Sequence, residues 1–241
     1  MNTETTTATL RADTRYGVFY YYPHDCIGQA LARGECHEGF LLPYFDAVPK
    51  GKTVVDVGAN IGFFTVYAAK RGNAVQAFEC SPEVYHLLCV NVEENGLAGL
   101  VSPHPTALYD KRCMMRSVYA WEQSFLPSGR IDFGSLSNGG CFGMQPGAGS
   151  AYDQYSETVD SFGLENVGLI KVDAQGCDLR ILKGARDTIQ RCQPVLLFEI
   201  EGTALHFHNE TPRDYWEFVQ GELKYEVEPL ASGVDFMARP R

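Results

Sequence analysis

Several things are missing from this 241-residue sequence. No apolar run reaches the about 18 residues that a membrane helix needs, so a span is not expected although 45% of the residues are hydrophobic. No block of lysine and arginine offsets the formal charge of -10. Phosphate backbones are therefore disfavoured partners, because nothing is available to displace their counterions. The eight cysteines (26, 36, 80, 89, 113, 141, 177 and 192) include no C-x-x-C pair, which argues against a zinc site or a disulfide framework and for reduced thiols. No metal site is expected. The opening Met1-Asn-Thr-Glu-Thr-Thr-Thr has neither a basic n-region nor an apolar h-region. Residues 1–15 are expected to be a disordered leader on a cytoplasmic protein, with one domain over 16–241. No internal repeat is evident.

What the chain does have is organised around Thr53 to Gly62, T-V-V-D-V-G-A-N-I-G. Val54, Val55 and Val57 are β-branched and follow Lys50-Gly51-Lys52, the pattern of a short buried strand in a parallel sheet. Gly58, Asn60 and Gly62 then permit a sharp turn, Asn being one of the few residues that visit the left-handed region. Ile61, Phe64, Thr65 and Ala68 begin a helix at once, so strand, turn and helix N-terminus form a nucleotide-type cradle. The spacing is not G-x-G-x-x-G. Asp56 stands ahead of the first glycine, and an acid at the mouth suits a sulfonium or amine and repels a pyrophosphate. Glu79 ends the next apolar run, 21 positions beyond Gly58, the offset at which a carboxylate accepts from ribose hydroxyls. S-adenosylmethionine is the expected cofactor; NAD and a purely structural turn are the alternatives.

Before this cradle, residues 16–50 are expected to form a helical cap. It contains the aromatic run 16–22, an edge strand or a lid, and helices through Ile27, Ala30 and Leu31 and over Gly39 to Ala47. After it, Ser81-Pro82 starts a helix carrying Val84, Leu87, Leu88 and Asn91, and Val101 to Leu108 is a third strand broken by prolines. Ala107 and Leu108 should lie beside the cofactor's base, as Cys80 should beside Glu79. Residues 111–157 differ in kind. Met115 to Ala120 suits a strand, but the glycine- and serine-rich run from Ser128 is expected to be too flexible for a regular element. It is assigned as a substrate-side flap, with Asn138, Gly139 and Gly140 nearest the site.

Gly168 to Val172 is another buried strand, carrying Lys171 and ending at Asp173; Leu179, Leu182, Ala185 and Ile189 mark one helix after it. Val195 to Ile200 follows, with Glu199 and Glu201 on one face. Carboxylates at two strand tips should share the crevice with the cradle. His206 and His208 flank Phe207, Thr211 to Asp214 is a capping box, and 223–227 with 234–237 suit a closing antiparallel pair.

D-V-G-A-N-I-G at 56–62, F-E-C-S-P-E at 78–83, N-G-L at 95–97, T-V-D-S-F at 158–162 and I-K-V-D-A-Q-G-C-D-L-R-I-L-K-G-A at 170–185 resemble the FkbM-type methyltransferases. The likeness runs from about Asp25, through G-x-C-H-E at 34–38, to L-F-E-I at 197–200. It implies an α/β class I methyltransferase fold: Rossmann-like, doubly wound, a mostly parallel seven-stranded sheet with an antiparallel last strand. It also implies O-methylation of a hydroxyl on a sugar, polyketide or other secondary metabolite. The family typically has Glu where this chain has Gln175, so a base or ligand role for that Glu does not carry over.

The expected cofactor set is Asp56, Gly58, Asn60, Gly62, Glu79, Cys80, Ala107, Leu108 and Asp173. Asp173, Glu201 and His206 are the candidates for taking the acceptor's proton, and Asp25, Glu38, Asn138, Gly139 and Gln175 those for touching the acceptor. A small-molecule acceptor is the expected partner, without nucleic acid or membrane, and a homodimer is compatible with the sequence. A nicotinamide oxidoreductase and a non-catalytic adenosyl-binding protein are the competing functions.

Overall fold

Val54, Val55 and Val57 are at most 3% exposed, as β-branched side chains covered on both sheet faces should be. The computed structural model describes residues 8–119, 132, 142–202 and 204–241. Its chain begins with strands β1 (Leu10–Thr14) and β2 (Gly17–Tyr21), helices α1 (Cys26–Ala32) and α2 (Leu42–Asp46), and β3 (Thr53–Val57). Next come α3 (Phe63–Lys70), β4 (Ala74–Phe78), α4 (Pro82–Glu94), β5 (Val101–His104), β6 (Ala107–Leu108), β7 (Met114–Tyr119), β8 (Phe142–Pro146) and β9 (Gln154–Glu157). The remainder is β10 (Val167–Val172), α5 (Asp178–Lys183), α6 (Arg186–Cys192), β11 (Val195–Glu199), α7 (Pro212–Trp216), β12 (Tyr225–Pro229) and β13 (Asp235–Pro240).

The main sheet has seven strands in the order β12-β13-β11-β10-β3-β4-β5. β10, β11, β3, β4 and β5 are parallel, and β13, the last strand of the chain, runs antiparallel to both β11 and β12. This is the doubly wound, Rossmann-like sheet expected from the sequence. The chain winds from β3 outward to β4 and β5, then resumes on the other side of β3 as β10. The crevice at such a switch point is where open α/β sheets bind ligands. Register aligns the tips: Val57 pairs with Val172 and with Phe78, so Gly58, Asp173 and Glu79 emerge at one level.

Four expectations need correction. Residues 10–14 are not a disordered leader: they pair with β2 as a hairpin whose turn is held by Thr14, its hydroxyl accepting from the amides of Tyr16 and Gly17. The aromatic run therefore belongs to a separate two-stranded sheet. Asn91 of α4 and Asn95, its C-cap, clamp it, their side-chain amides bonding the Tyr20 and Val18 backbones. The third strand ends at His104, and Ala107–Leu108 joins β9 in a second sheet of order β6-β9-β7-β8. Pro105, which lacks the amide that a ladder needs, ends the run, whereas Pro103 is accommodated inside β5 because β5 is an edge strand.

That second sheet also overturns the view that the glycine-rich run holds no regular element, because Phe142–Pro146 pairs with β7 through five residues. Asn138 and Gly139 lie outside the described residues. Last, the single helix expected over 179–189 is two. Gly184 breaks it where the chain presses on β6's exit: a Cβ there would lie 2.2 Å from the Tyr109 carbonyl oxygen.

Candidate active site

A cavity of about 280 Å³ opens at the tips of β3, β4 and β10. One wall is made of backbone. Gly58 has φ +71°, and a Cβ on it would fall 1.8 Å from the Asp173 carbonyl oxygen, so only glycine lets these two strand tips meet. Asn60, at φ +52°, takes the left-handed conformation, its side chain accepting from the Ile61 amide at 2.7 Å. This bend turns the Asn60 amide toward Glu79, whose carboxylate accepts from it at 3.0 Å and from the Ser81 amide at 2.8 Å. Glu79 is 7% exposed, and burial pushes its pKa up to about 7 against the pull of those amides. Cys80, Thr106, Ala107 and Leu108 complete this wall; burial pushes the Cys80 thiol well up, so it stays neutral.

The opposite wall is made of charge. Asp173, Glu199, Glu201 and Glu38 come from β10's tip, β11's tip, the turn beyond it and the loop after α1. Burial, then repulsion from Asp173, raises Glu38 to about 7 and Glu199 to about 9. Lys171 is the one lysine or arginine among the described lining residues. It is 3% exposed, with Nζ 3.0 Å from Asp173 Oδ2 and 5.2 Å from the Phe64 ring centre. Despite its burial, the surrounding carboxylates raise its pKa, so the ammonium is retained. Ile27, Phe63, Phe64, Met144 and Ile181 supply the apolar lining.

Ten of the expected site residues meet in this cavity: Gly58, Asn60, Glu79, Cys80, Ala107, Leu108, Asp173, Glu201, Glu38 and Gln175. Gln175, at φ +48°, directs Nε2 to Asp173 Oδ1 at 3.5 Å. Four do not line it. Asp56 is 1% exposed and lies beneath the floor, accepting from Thr65 Oγ1 at 2.6 Å; strand alternation turns it onto α3 instead of out of the mouth. Gly62, at φ +88°, is where α3 packs on α4, a Cβ there meeting Leu88 Cδ1 at 2.6 Å. Asp25 caps α1, accepting from the Gly28 amide at 2.8 Å. His206 is exposed, its ring tilted against that of its neighbour Phe207.

The buried histidine is the other one. His208 Nδ1 lies 3.1 Å from the Tyr109 hydroxyl and Nε2 3.2 Å from Cys177 Sγ, and burial lowers its pKa to about 4. It is a neutral strut tying β6's exit to the start of α5. No group of three or more His, Cys, Asp or Glu among the described residues is arranged to hold a metal ion, and none of their helices is long and apolar enough to cross a membrane.

Residues 56–227 match the model of the methyltransferase FkbM domain. This chain belongs to the FkbM methyltransferase family. It is 26% identical to the 31-O-demethyl-FK506 methyltransferase FkbM of Streptomyces tacrolimicus, over 57% of this chain and 60% of the relative. It is 23% identical to the methyltransferase sdnD of Sordaria araneosa, over 57% of this chain and 61% of that one. The chain thus spans about 60% of the length of these relatives. Among solved structures, the methyltransferase FkbM of Methylobacillus flagellatus superposes with a TM-score of 0.50 at 15% identity, over 78% of this chain and 43% of the other. At that identity the likeness bears on the fold alone.

Proposed function

We propose that this chain transfers a methyl group from S-adenosylmethionine to a hydroxyl oxygen of a small-molecule acceptor: a sugar, polyketide or other secondary metabolite. The observation that carries this reading is the cavity's charge. Glu79 sits between two amides on one side, and Asp173, Glu38, Glu199 and Glu201 face it from the other. That pattern suits a donor bearing a sulfonium and an ammonium, whereas a dinucleotide's pyrophosphate would meet carboxylates. Two relatives are named as methyltransferases, and the name of one places its chemistry at an oxygen.

The residues fit the donor. Glu79 is locked in place and has lone pairs left for ribose hydroxyls; Gly58 keeps the strand tips bare of side chains; Cys80, Ala107 and Leu108 form a neutral surface for a base. When bound, the donor supplies a methyl group on a positively charged sulfur. Phe63, Phe64, Ile27 and Met144 keep water away from the reacting groups, which strengthens every charge interaction there. Asp173 takes the acceptor's proton or orients its hydroxyl, with Glu201 the second candidate, since both reach the cavity. His206 is outside the lining and drops out.

The experiment is labelled methyl transfer from S-adenosylmethionine into a host extract, with mass identification of the product and repetition with Asp173→Asn. Turnover should fall about 100-fold or more in the variant. Full turnover with intact donor binding would remove Asp173 from the reaction.

A further inference from the structure

Lys171 is a buried charged side chain one residue before the end of β10, where an apolar one would cost less. The register places it directly beside Asp56 of β3, and its ammonium bonds Asp173 two residues on. The three residues form a column from the sheet interior to the cavity. Asp56 is at the bottom, held by Thr65; Lys171 is in the middle, over Phe64; Asp173 is at the mouth. One role for Lys171 is to neutralise Asp56. A second is visible in the bond itself: Lys171 takes Asp173 Oδ2, leaving Oδ1 to Gln175 and the cavity.

We propose that Lys171 is a positioning residue of the active site. Its ammonium fixes the Asp173 carboxylate at the mouth and sets the charge of the acid wall that receives the donor. This rests on the S-adenosylmethionine reading given above. The column is one positive charge short: Lys171 faces Asp56 and Asp173, with Glu38, Glu79, Asp178, Glu199 and Asp235 acting on the same group of carboxylates from the elements around it. His37 lies 3.7 Å from Glu38. A donor cation would supply the missing charge. Without Lys171 the wall holds its protons to higher pH, and the donor has to displace them.

Lys171→Met alone strands Asp56, so the decisive variant is Asp56→Asn with Lys171→Met, which removes the buried pair together and spares the fold. Thermal melting checks folding, and calorimetric titration with S-adenosylmethionine from pH 6 to 9 supplies the readout. The positioning role predicts affinity about tenfold below wild type at pH 6, converging toward wild type by pH 9, with the profile displaced upward by about one pH unit. If Lys171 only neutralises Asp56, the double variant matches wild type at every pH, and the inference is overturned. A wild-type protein that takes up no S-adenosylmethionine at any pH would overturn the donor reading and this inference with it.

Discussion

The two walls of the cavity are built in opposite ways. The cradle wall is fixed by backbone: Gly58 against the Asp173 carbonyl, and Glu79 pinned by the Asn60 and Ser81 amides. The acid wall is fixed by side chains that arrive from β10, β11, the turn after β11 and the cap loop, repel one another and share Lys171. Damage to the cradle should therefore strike fold and binding together. Damage to the acid wall should change pH dependence while the fold persists.

The largest expected effect tests the cradle. Gly58→Ala forces a side chain into a left-handed residue and onto a backbone carbonyl, at a cost of at least about 3 kcal/mol, with loss of donor affinity. Denaturant unfolding and donor titration check it. A variant with wild-type stability and affinity would erase the contrast between the walls.

Next is the pH response of the unliganded protein. Glu38 and Glu199 ionise at about 7 and about 9 when folded, against 4.5 ordinarily. Their contribution is fully present below pH 4.5 and is lost as pH rises through those values, because the unfolded chain releases its protons first. His208, at about 4 against 6.5, acts at the other end: its contribution is present above pH 6.5 and is lost as pH falls toward 4. Because two carboxylates lose stability over the range in which one histidine gains it, melting temperature should peak on the acid side of neutrality and fall toward pH 9. Glu199→Gln should flatten the alkaline limb; parallel limbs in variant and wild type would show that Glu199 does not carry the charge strain.

The smallest effect separates the two histidines. His208→Ala takes the partner from the buried Tyr109 hydroxyl, while Cys177 Sγ keeps the Met144 carbonyl, and should cost about 1–3 kcal/mol. His206→Ala should stay within about 0.5 kcal/mol and leave turnover unchanged. Urea melts of the pair check both, and a catalytic loss in the His206 variant would return it to the site.

The same contrast explains what the sequence disclosed. The cradle is local: a valine run, a turn that needs left-handed residues and an acid at a fixed offset lie within 27 consecutive positions, Thr53 to Glu79. The seven-stranded sheet was implied by the family resemblance, and its closing antiparallel pair was legible in two short runs, 223–227 and 234–237. Asp56 misled because an acid ahead of the glycines has the right charge for a mouth, yet strand alternation turns it inward onto Thr65. Asp25 misled because a capping carboxylate is spelled like a binding one. The acids of the opposite wall, Asp173, Glu199, Glu201 and Glu38, were named from the sequence, whereas Met144 reaches the cavity through tertiary packing that no spacing encodes. Lys171 did leave a signal, a lysine inside an apolar strand two residues before an aspartate.

The central claim is that this cavity is a receptor for a cation. Calorimetric titration of the wild-type protein at neutral pH with S-adenosylmethionine, and in parallel with NADH, tests it most directly. The account predicts saturable binding of S-adenosylmethionine with no displacement by NADH; saturable NADH binding that excludes S-adenosylmethionine would contradict it.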